Sequence, residues 1–274
     1  MLLDVAGREA YAYTGGRPFD AALPTVVFIH GGQQDHSIWI LQTRYLAHHG
    51  YSVLAVDLPG HGRSEGPPLA TIEAMTDWTL GLLDAAGVQR AAIVGHSMGS
   101  LIAVEAAGSA PQRIDRIALV GTAFPMKVSD ALLAAAREDE ASAFDMINLW
   151  SRSGISHRPG CPGPGFSVLN EGRRLMERQK PGVLFNDFNA CNAYEGGLER
   201  AKAVACPALF VLGARDVMTP MRAARSLIDA IADSRVVEIP RCGHAMTDER
   251  PDAVLGALRE FLAPMTQARA AAPA

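Results

Sequence analysis

Short β-branched runs alternate along the chain with longer stretches whose apolar residues recur at helical spacing. The runs Val26-Val27-Phe28-Ile29, Val53 to Val56, Ala91 to Val94, Ile117 to Val120, Leu209 to Leu212 and Val236 to Ile239 are each bounded by Gly, Pro or Asp. Continuous apolar runs of that length read as buried strands. Between them the spacing predicts helices over residues 38–49, 71–86, 98–109, 220–232 and 251–262. The last opens with Pro251 at a helix start and closes before Pro264. Leu2 to Val5 and Glu9 to Thr14, broken by Gly7, predict a hairpin ahead of the first buried strand. Strands alternating with helices imply an α/β protein with a mostly parallel central sheet and helices on both faces.

One segment departs from the alternation. From Phe124 to Ala203 the pattern is helical with no convincing strand. An insertion of that size between two sheet strands predicts a helical lid. Within it, the Pro- and Gly-rich stretch Arg158 to Gly165 reads either as a functional cover or as a disordered loop. The expected organisation is a core in two parts, residues 1–123 and 204–265, a lid over 124–203, and a flexible tail over 266–274 that ends in ARAAAPA.

Composition narrows the class. With 49% apolar and 20% charged residues in 274 positions, the chain can form a sizeable globular core. Its 25 basic against 29 acidic residues leave a net charge of −4 with no block of one sign, which argues against a nucleic-acid partner. No apolar run approaches the ~18 residues of a membrane span, and the N-terminus lacks a basic region followed by an apolar stretch. The expectation is a soluble, cytoplasmic protein with a small-molecule partner; the sequence leaves self-association open. Cys161, Cys191, Cys206 and Cys242 are far apart in the chain and read as reduced bystander thiols. Only three of the 25 basic residues are Lys and Ala is abundant, which suggests a GC-rich bacterial genome.

The chemistry is concentrated at strand ends. Gly95-His96-Ser97-Met98-Gly99 lies between the strand Ala91 to Val94 and the following helix, the context that gives G-x-S-x-G its meaning. The turn forces the Ser97 backbone into a strained conformation, the glycines remove side chains that would collide, and the hydroxyl stands above the sheet at a helix N-terminus. His30-Gly31-Gly32-Gln33 ends an earlier strand. Acyl transfer passes through a tetrahedral oxyanion that needs two backbone donors; the amides of Gly32 and Met98 are the candidates.

These motifs, with Asp57-Leu58-Pro59-Gly60-His61-Gly62-Arg63-Ser64 after the next strand, resemble those of the α/β-hydrolase superfamily over residues 20–262, the lid excepted. In similar proteins the Asp57 to Ser64 stretch is a structural turn, so Asp57, His61 and Arg63 are assigned to the scaffold. The resemblance implies a catalytic triad in the chain order nucleophile, acid, base. Asp216, after the strand Leu209 to Leu212, stands at the family's acid position, and His244, after the final strand, is the base. Asp248 is a second carboxylate near His244, but Asp248-Glu249-Arg250-Pro251 reads better as the cap of the last helix.

A serine esterase is implied, acting on a small to medium, largely apolar carboxylic ester, thioester or lactone. Expected pocket residues are Trp39, Met126, Met146, Trp150, Phe185, Phe188, Met218 and Met246. Carbon–carbon hydrolases share the triad but usually carry Trp after the catalytic His, where this chain has Ala245. Cofactor-free haloperoxidase or perhydrolase chemistry uses the same residues, and a low-turnover receptor would keep the fold. Ser rather than Asp at the elbow separates the chain from epoxide hydrolases and haloalkane dehalogenases. H-E-x-x-H, C-x-x-C and G-x-x-x-x-G-K-[ST] are missing from the sequence, so no metal, nucleotide or other cofactor is expected.

Overall fold

The computed structural model describes residues 1–154 and 168–270. The stretch 158–165 and the last four residues of the expected tail lie outside them.

Eight strands form one sheet: β1 (Leu2–Val5), β2 (Arg8–Tyr13), β3 (Thr25–Ile29), β4 (Ser52–Val56), β5 (Ala91–His96), β6 (Ile114–Val120), β7 (Ala208–Gly213) and β8 (Ser234–Ile239). Their order across the sheet is β1-β2-β4-β3-β5-β6-β7-β8. The hairpin β1–β2 joins β4 antiparallel, while β3 to β8 are parallel. Strands β3, β4, β5 and β7 are buried at every position, as their unbroken apolar character requires when helices cover both faces. Alternation then sorts the side chains. Val27, Ile29, Ile93 and Phe210 face one apolar layer; Val26, Phe28, Val94 and Val211 face the other.

Each layer is closed by helices whose ends are marked in the sequence. On the first face lie α2 (Ile72–Ala85) and α3 (Met98–Ser109), which contribute Leu82, Leu83, Leu101 and Ile102. The Thr71 hydroxyl caps α2 by accepting from the Ala74 amide at 3.1 Å, which satisfies a donor the helix cannot. On the second face lie α1 (Ile40–Ala47) and the final helix, which contribute Leu46, Val254 and Leu258.

Between β6 and β7 the described chain is helical: α4 (Asp130–Glu138), α5 (Glu140–Trp150), α6 (Val168–Glu177), α7 (Val183–Ala193) and α8 (Gly197–Ala203). Leu132, Ala136, Phe144, Met176 and Leu184 give this insertion its own apolar cluster. Its last helix, α8, belongs to the layer under the sheet, with Ala201 buried against α3. Glu105 of α3 fixes that junction through Tyr194 (2.7 Å) and Arg200 (2.9 Å).

Several boundaries differ from the sequence expectation. The region 220–232 is a 3-10 turn, Met221–Ala224, followed by the short α9 (Arg225–Ala230), and a one-turn helix, α10 (Met246–Glu249), precedes α11 (Pro251–Ala270). Helix α11 continues past Pro264 to Ala270, so the expected tail begins as helix. Residues 265–270, made largely of good helix formers (Met, Gln, Ala, Arg), favour helix enough to carry it past the proline's missing donor. Strand β8 is not a buried strand: Val236 is 42% exposed, because β8 is the sheet edge, where Arg235 pairs with Glu260 at 2.7 Å and charge discourages further pairing. Phe210 is fully buried at the centre of the first layer. Replacing it with Ala is expected to destabilise the fold by about 3–5 kcal/mol, read from urea or thermal unfolding.

Candidate active site

A single residue, Ser97, separates β5 from α3, with φ 50° and ψ −116°. Non-glycine residues held there cost on the order of 1–3 kcal/mol and persist only where neighbours over-determine them. Here the Ser97 amide donates to Val120 O at 2.9 Å. The Ser97 carbonyl accepts from the Ser100 amide at 2.8 Å and from its hydroxyl at 2.5 Å. A Cβ on Gly95 would strike the Gly99 carbonyl, and one on Gly99 would lie 2.5 Å from Ile29 O. Both glycines are therefore demanded by backbone crossing backbone.

The Ser97 side chain lines a cavity of about 230 Å³ together with Gly32, Met98 and His244. Among the described residues no hydrogen bond occupies the amide of Gly32 or of Met98, which leaves two donors beside the hydroxyl. A smaller recess of about 50 Å³ opens from the same Ser97, Gly32 and His244; its wall mixes the polar Gln34, Arg152, Thr247 and Asp248 with the apolar Ile147, Leu175, Met176 and Phe188.

His244 follows β8 in a buried loop. Its Nδ1 lies 2.8 Å from Asp216 Oδ2 and 3.0 Å from Thr219 Oγ1, which leaves Nε2 for the cavity side. Asp216 follows β7 and accepts from the Thr219 hydroxyl (2.7 Å), the Thr219 amide (2.8 Å) and the Met218 amide (2.9 Å). Burial works against its charge, but His244 and the Thr219 donors outweigh burial and hold Asp216 down at about 2. Behind His244, the His96 ring lies with Nε2 3.0 Å from the His244 carbonyl. Burial and the neighbouring His244 push His96 down to about 3, so it is a neutral ring that donates to that carbonyl. No hydrogen bond joins Ser97 to His244 among the described residues; such contacts are commonly long before substrate arrives.

The alpha/beta hydrolase family model matches residues 26–257. The chain belongs to that family. The acetyltransferase component of an acetoin cleaving system from Cupriavidus necator is 40% identical over 146 residues, 52% of this chain and 36% of that one; the chain thus spans about a third of that relative. A putative carbamate hydrolase, RutD, from Klebsiella pneumoniae is 27% identical over 88% of this chain and 92% of its own. Among solved structures, the enol-lactonase from Burkholderia xenovorans LB400 superimposes with a TM-score of 0.84 at 28% identity, covering 96% of this chain and 100% of that one.

In this alpha/beta hydrolase the structure sorts the expected pocket residues into two groups. Met126, Trp150, Phe188 and Met218 line the cavity, with Leu132, Cys191 and Val217. Trp39, Met146, Phe185 and Met246 do not. Trp39 is buried beneath the sheet against Phe28, ring centroids 5.2 Å apart, and Met246 fills the second core layer. Met146 and Phe185 pack in the insertion's own cluster. Apolar side chains at helical spacing serve a core as readily as a cavity, and only tertiary packing separates the two.

Asp248 does not cap the final helix and does not touch His244: it lies within α10 and pairs with Arg152 at 3.0 Å. Glu249 beside it accepts from the amides of Gly243 (2.9 Å) and Ser153. Asp57 holds the turn after β4, accepting from the amides of His36 (2.8 Å) and Arg63 (2.9 Å). Asp35, His36 and Asp57 bring ligand-type atoms within 4.8 Å of one another, but Asp35 is taken by Arg178 and Gln179 and Asp57 by His36. Cys191, Cys206 and Cys242 are free thiols; Cys161 lies outside the described residues. No described helix is long and apolar enough to cross a membrane.

Two residues at the site escaped the sequence reading. Thr219, just ahead of the helix expected over 220–232, bridges Asp216 and His244. Gly121, at φ 62°, stands where a Cβ would lie 3.1 Å from the His244 ring; a glycine directly after β6 was the available signal. Gly121→Ala is expected to keep the circular dichroism of the wild type while lowering turnover by displacing His244. Because Asp216 is depressed from 3.8 to about 2, its contribution to stability is complete above pH 3.8 and lost as pH falls through 2. The stability gap between wild type and Asp216→Asn, followed by denaturant titration, should therefore narrow in that interval and stay level above it.

Proposed function

We propose that this alpha/beta hydrolase is a serine hydrolase that cleaves a small to medium, largely apolar carboxylic ester or lactone through an acyl-enzyme on Ser97. The observation that carries the reading is the shared cavity: a half-buried hydroxyl on a strained backbone, an imidazole fixed by a buried carboxylate, and two unoccupied amides converge on it. In the proposed reaction His244 Nε2 takes the Ser97 proton as Oγ attacks the carbonyl carbon. Asp216 holds the imidazole in the matching tautomer and stabilises its cation. The amides of Gly32 and Met98 receive the oxyanion, helped by the N-terminus of α3. His244 returns the proton to the leaving oxygen, and water then repeats the sequence on the acyl-enzyme.

The walls support the substrate class. Met126, Leu132, Trp150 and Phe188 offer apolar surface to one substituent of the carbonyl, while the smaller recess, of about 50 Å³, suits a short one. The helical insertion supplies most of the apolar wall and, in this reading, acts as the lid that excludes water and sets chain-length preference. The likeness to an enol-lactonase supports the bond type, since a lactone is a cyclic ester. Catalysis at a carbon–carbon bond or by perhydrolysis would use the same residues, and no feature of the site favours either.

A fluorophosphonate should label the wild type on Ser97 and leave Ser97→Ala unlabelled. Hydrolysis of p-nitrophenyl esters by Ser97→Ala and Asp216→Asn should fall by about 10⁴-fold or more, as in other triads. Equal turnover by wild type and Ser97→Ala would remove Ser97 from the mechanism, and a wild type that neither labels nor turns over would favour the receptor.

A further inference from the structure

Several polar contacts between insertion and core gather around the loop that carries Gly32. Asp187, on α7, is fully buried. Its Oδ2 accepts from the Gln33 amide at 2.9 Å and lies 2.8 Å from His61 Nε2; Oδ1 accepts from Asn186 Nδ2 at 3.2 Å. The residue gripped is the one after Gly32, and α7 sits so close that a Cβ on Gly32 would be 3.1 Å from the Phe188 ring and 3.3 Å from Asp187 Cβ. Neighbouring contacts reinforce the attachment. Gln33 Nε2 donates to Met176 O at 3.0 Å, Arg178 grips Asp35 with Nε and Nη2 (2.7 and 2.6 Å), and the Gly62 amide donates to Gln179 at 2.8 Å.

The charge state of His61 follows from its partners. Nε2 faces the Asp187 carboxylate and Nδ1 faces the Pro59 carbonyl at 3.1 Å. Both are acceptors, one of them a carboxylate, and the arrangement favours a proton on each nitrogen, an imidazolium. Burial opposes that charge, yet Asp187, with Asp57 behind it, raises His61 above the ordinary histidine value; Asp187 is in turn held below the ordinary carboxylate range by His61 against its own burial. His30, whose ring centroid is 4.8 Å from that of His61, is pushed to about 4 by burial and by His61 and stays neutral. Its Nε2 accepts from the Leu58 amide at 3.1 Å. Cys191, one turn along α7, is a thiol whose ionisation burial and Asp187 suppress. The Asp187 to His61 contact is thus a single buried ion pair, with other ionisable groups facing it either neutral or, like Asp57, already tied into the turn.

We propose that Asp187 and His61 form a buried carboxylate–imidazolium clamp through which the helical insertion holds the Gly32 amide at the oxyanion position, making both of them positioning residues. The inference rests on the serine hydrolase reading above. Breaking one side of a buried pair leaves the other group without its counter-charge, so the tie between α7 and the loop loosens and the donor at Gly32 moves from its aim. A displaced oxyanion donor acts on the transition state and not on ground-state binding.

The test compares Asp187→Asn and His61→Gln with Glu105→Gln, which cuts the junction of α3 and α8 away from the cavity. Asp187→Asn is expected to lower kcat for a p-nitrophenyl ester about tenfold or more with KM within about twofold. Affinity for a trifluoromethyl ketone, which forms a tetrahedral adduct on Ser97, should fall by the same factor. Glu105→Gln at a matched loss of thermal stability should leave kcat within about twofold. Equal kcat losses in Asp187→Asn and Glu105→Gln, or ketone affinity unchanged, would overturn the clamp. If Asp187→Asn does not fold, the wild type decides: nitrogen NMR at pH 7 should show both His61 ring nitrogens protonated, and a ring with one proton would overturn it. Hydrolysis retained in Ser97→Ala would sink the serine hydrolase reading instead, whereas full Ser97-dependent activity in Asp187→Asn would sink only the clamp.

Discussion

The site depends on one close approach of backbone to backbone. The first turn of α3 crosses β3 and β5 at a distance no side chain permits, which is why Gly95 and Gly99 stand there. That crossing fixes the helix axis against the sheet, and Ser97 absorbs the strain of reversing direction within one residue. The hydrogen bond from Ser97 to Val120 ties the turn to β6, so three neighbouring strands hold it. A strained residue held from three sides cannot relax when a ligand arrives, and preorganisation of that kind is what acyl transfer needs.

The rest of the rim is built by a different device, buried polar groups that satisfy one another. Asp216 stays ionised in an apolar setting because Thr219 and His244 supply its hydrogen bonds, and unpaired it would cost more than the fold can spare. His96 works from behind: a neutral ring whose N–H holds the His244 carbonyl and whose bulk keeps the imidazole from turning away. His244 is therefore located twice, through its ring by Asp216 and through its main chain by His96.

The parts of this arrangement that depend on local backbone chemistry were legible in the sequence. Strand runs and the tight turn at Ser97 follow from apolar periodicity and glycine spacing, while Asp216 and His244 were singled out through the family resemblance; the structure places these three residues after β5, β7 and β8. Edges and long-range contacts were not legible. The apolar run of β8 looks like an interior strand because exposure depends on being last in the sheet order. Met246 and Trp39 look like pocket residues because nearness in the chain to His244 or to the oxyanion loop says nothing about which way a side chain packs. Asp187 carried no local signal at all: its meaning comes from His61, 126 positions earlier.

Asp187 and Phe188 are adjacent on α7, the first bound to the Gly32 loop and the second forming the cavity wall. A lineage that reshaped this helix to admit a new ligand would disturb that loop with the same substitution. Diversification of ligand choice is thereby channelled toward α4 and α5, whose Leu132 and Trp150 reach the cavity from outside that coupling.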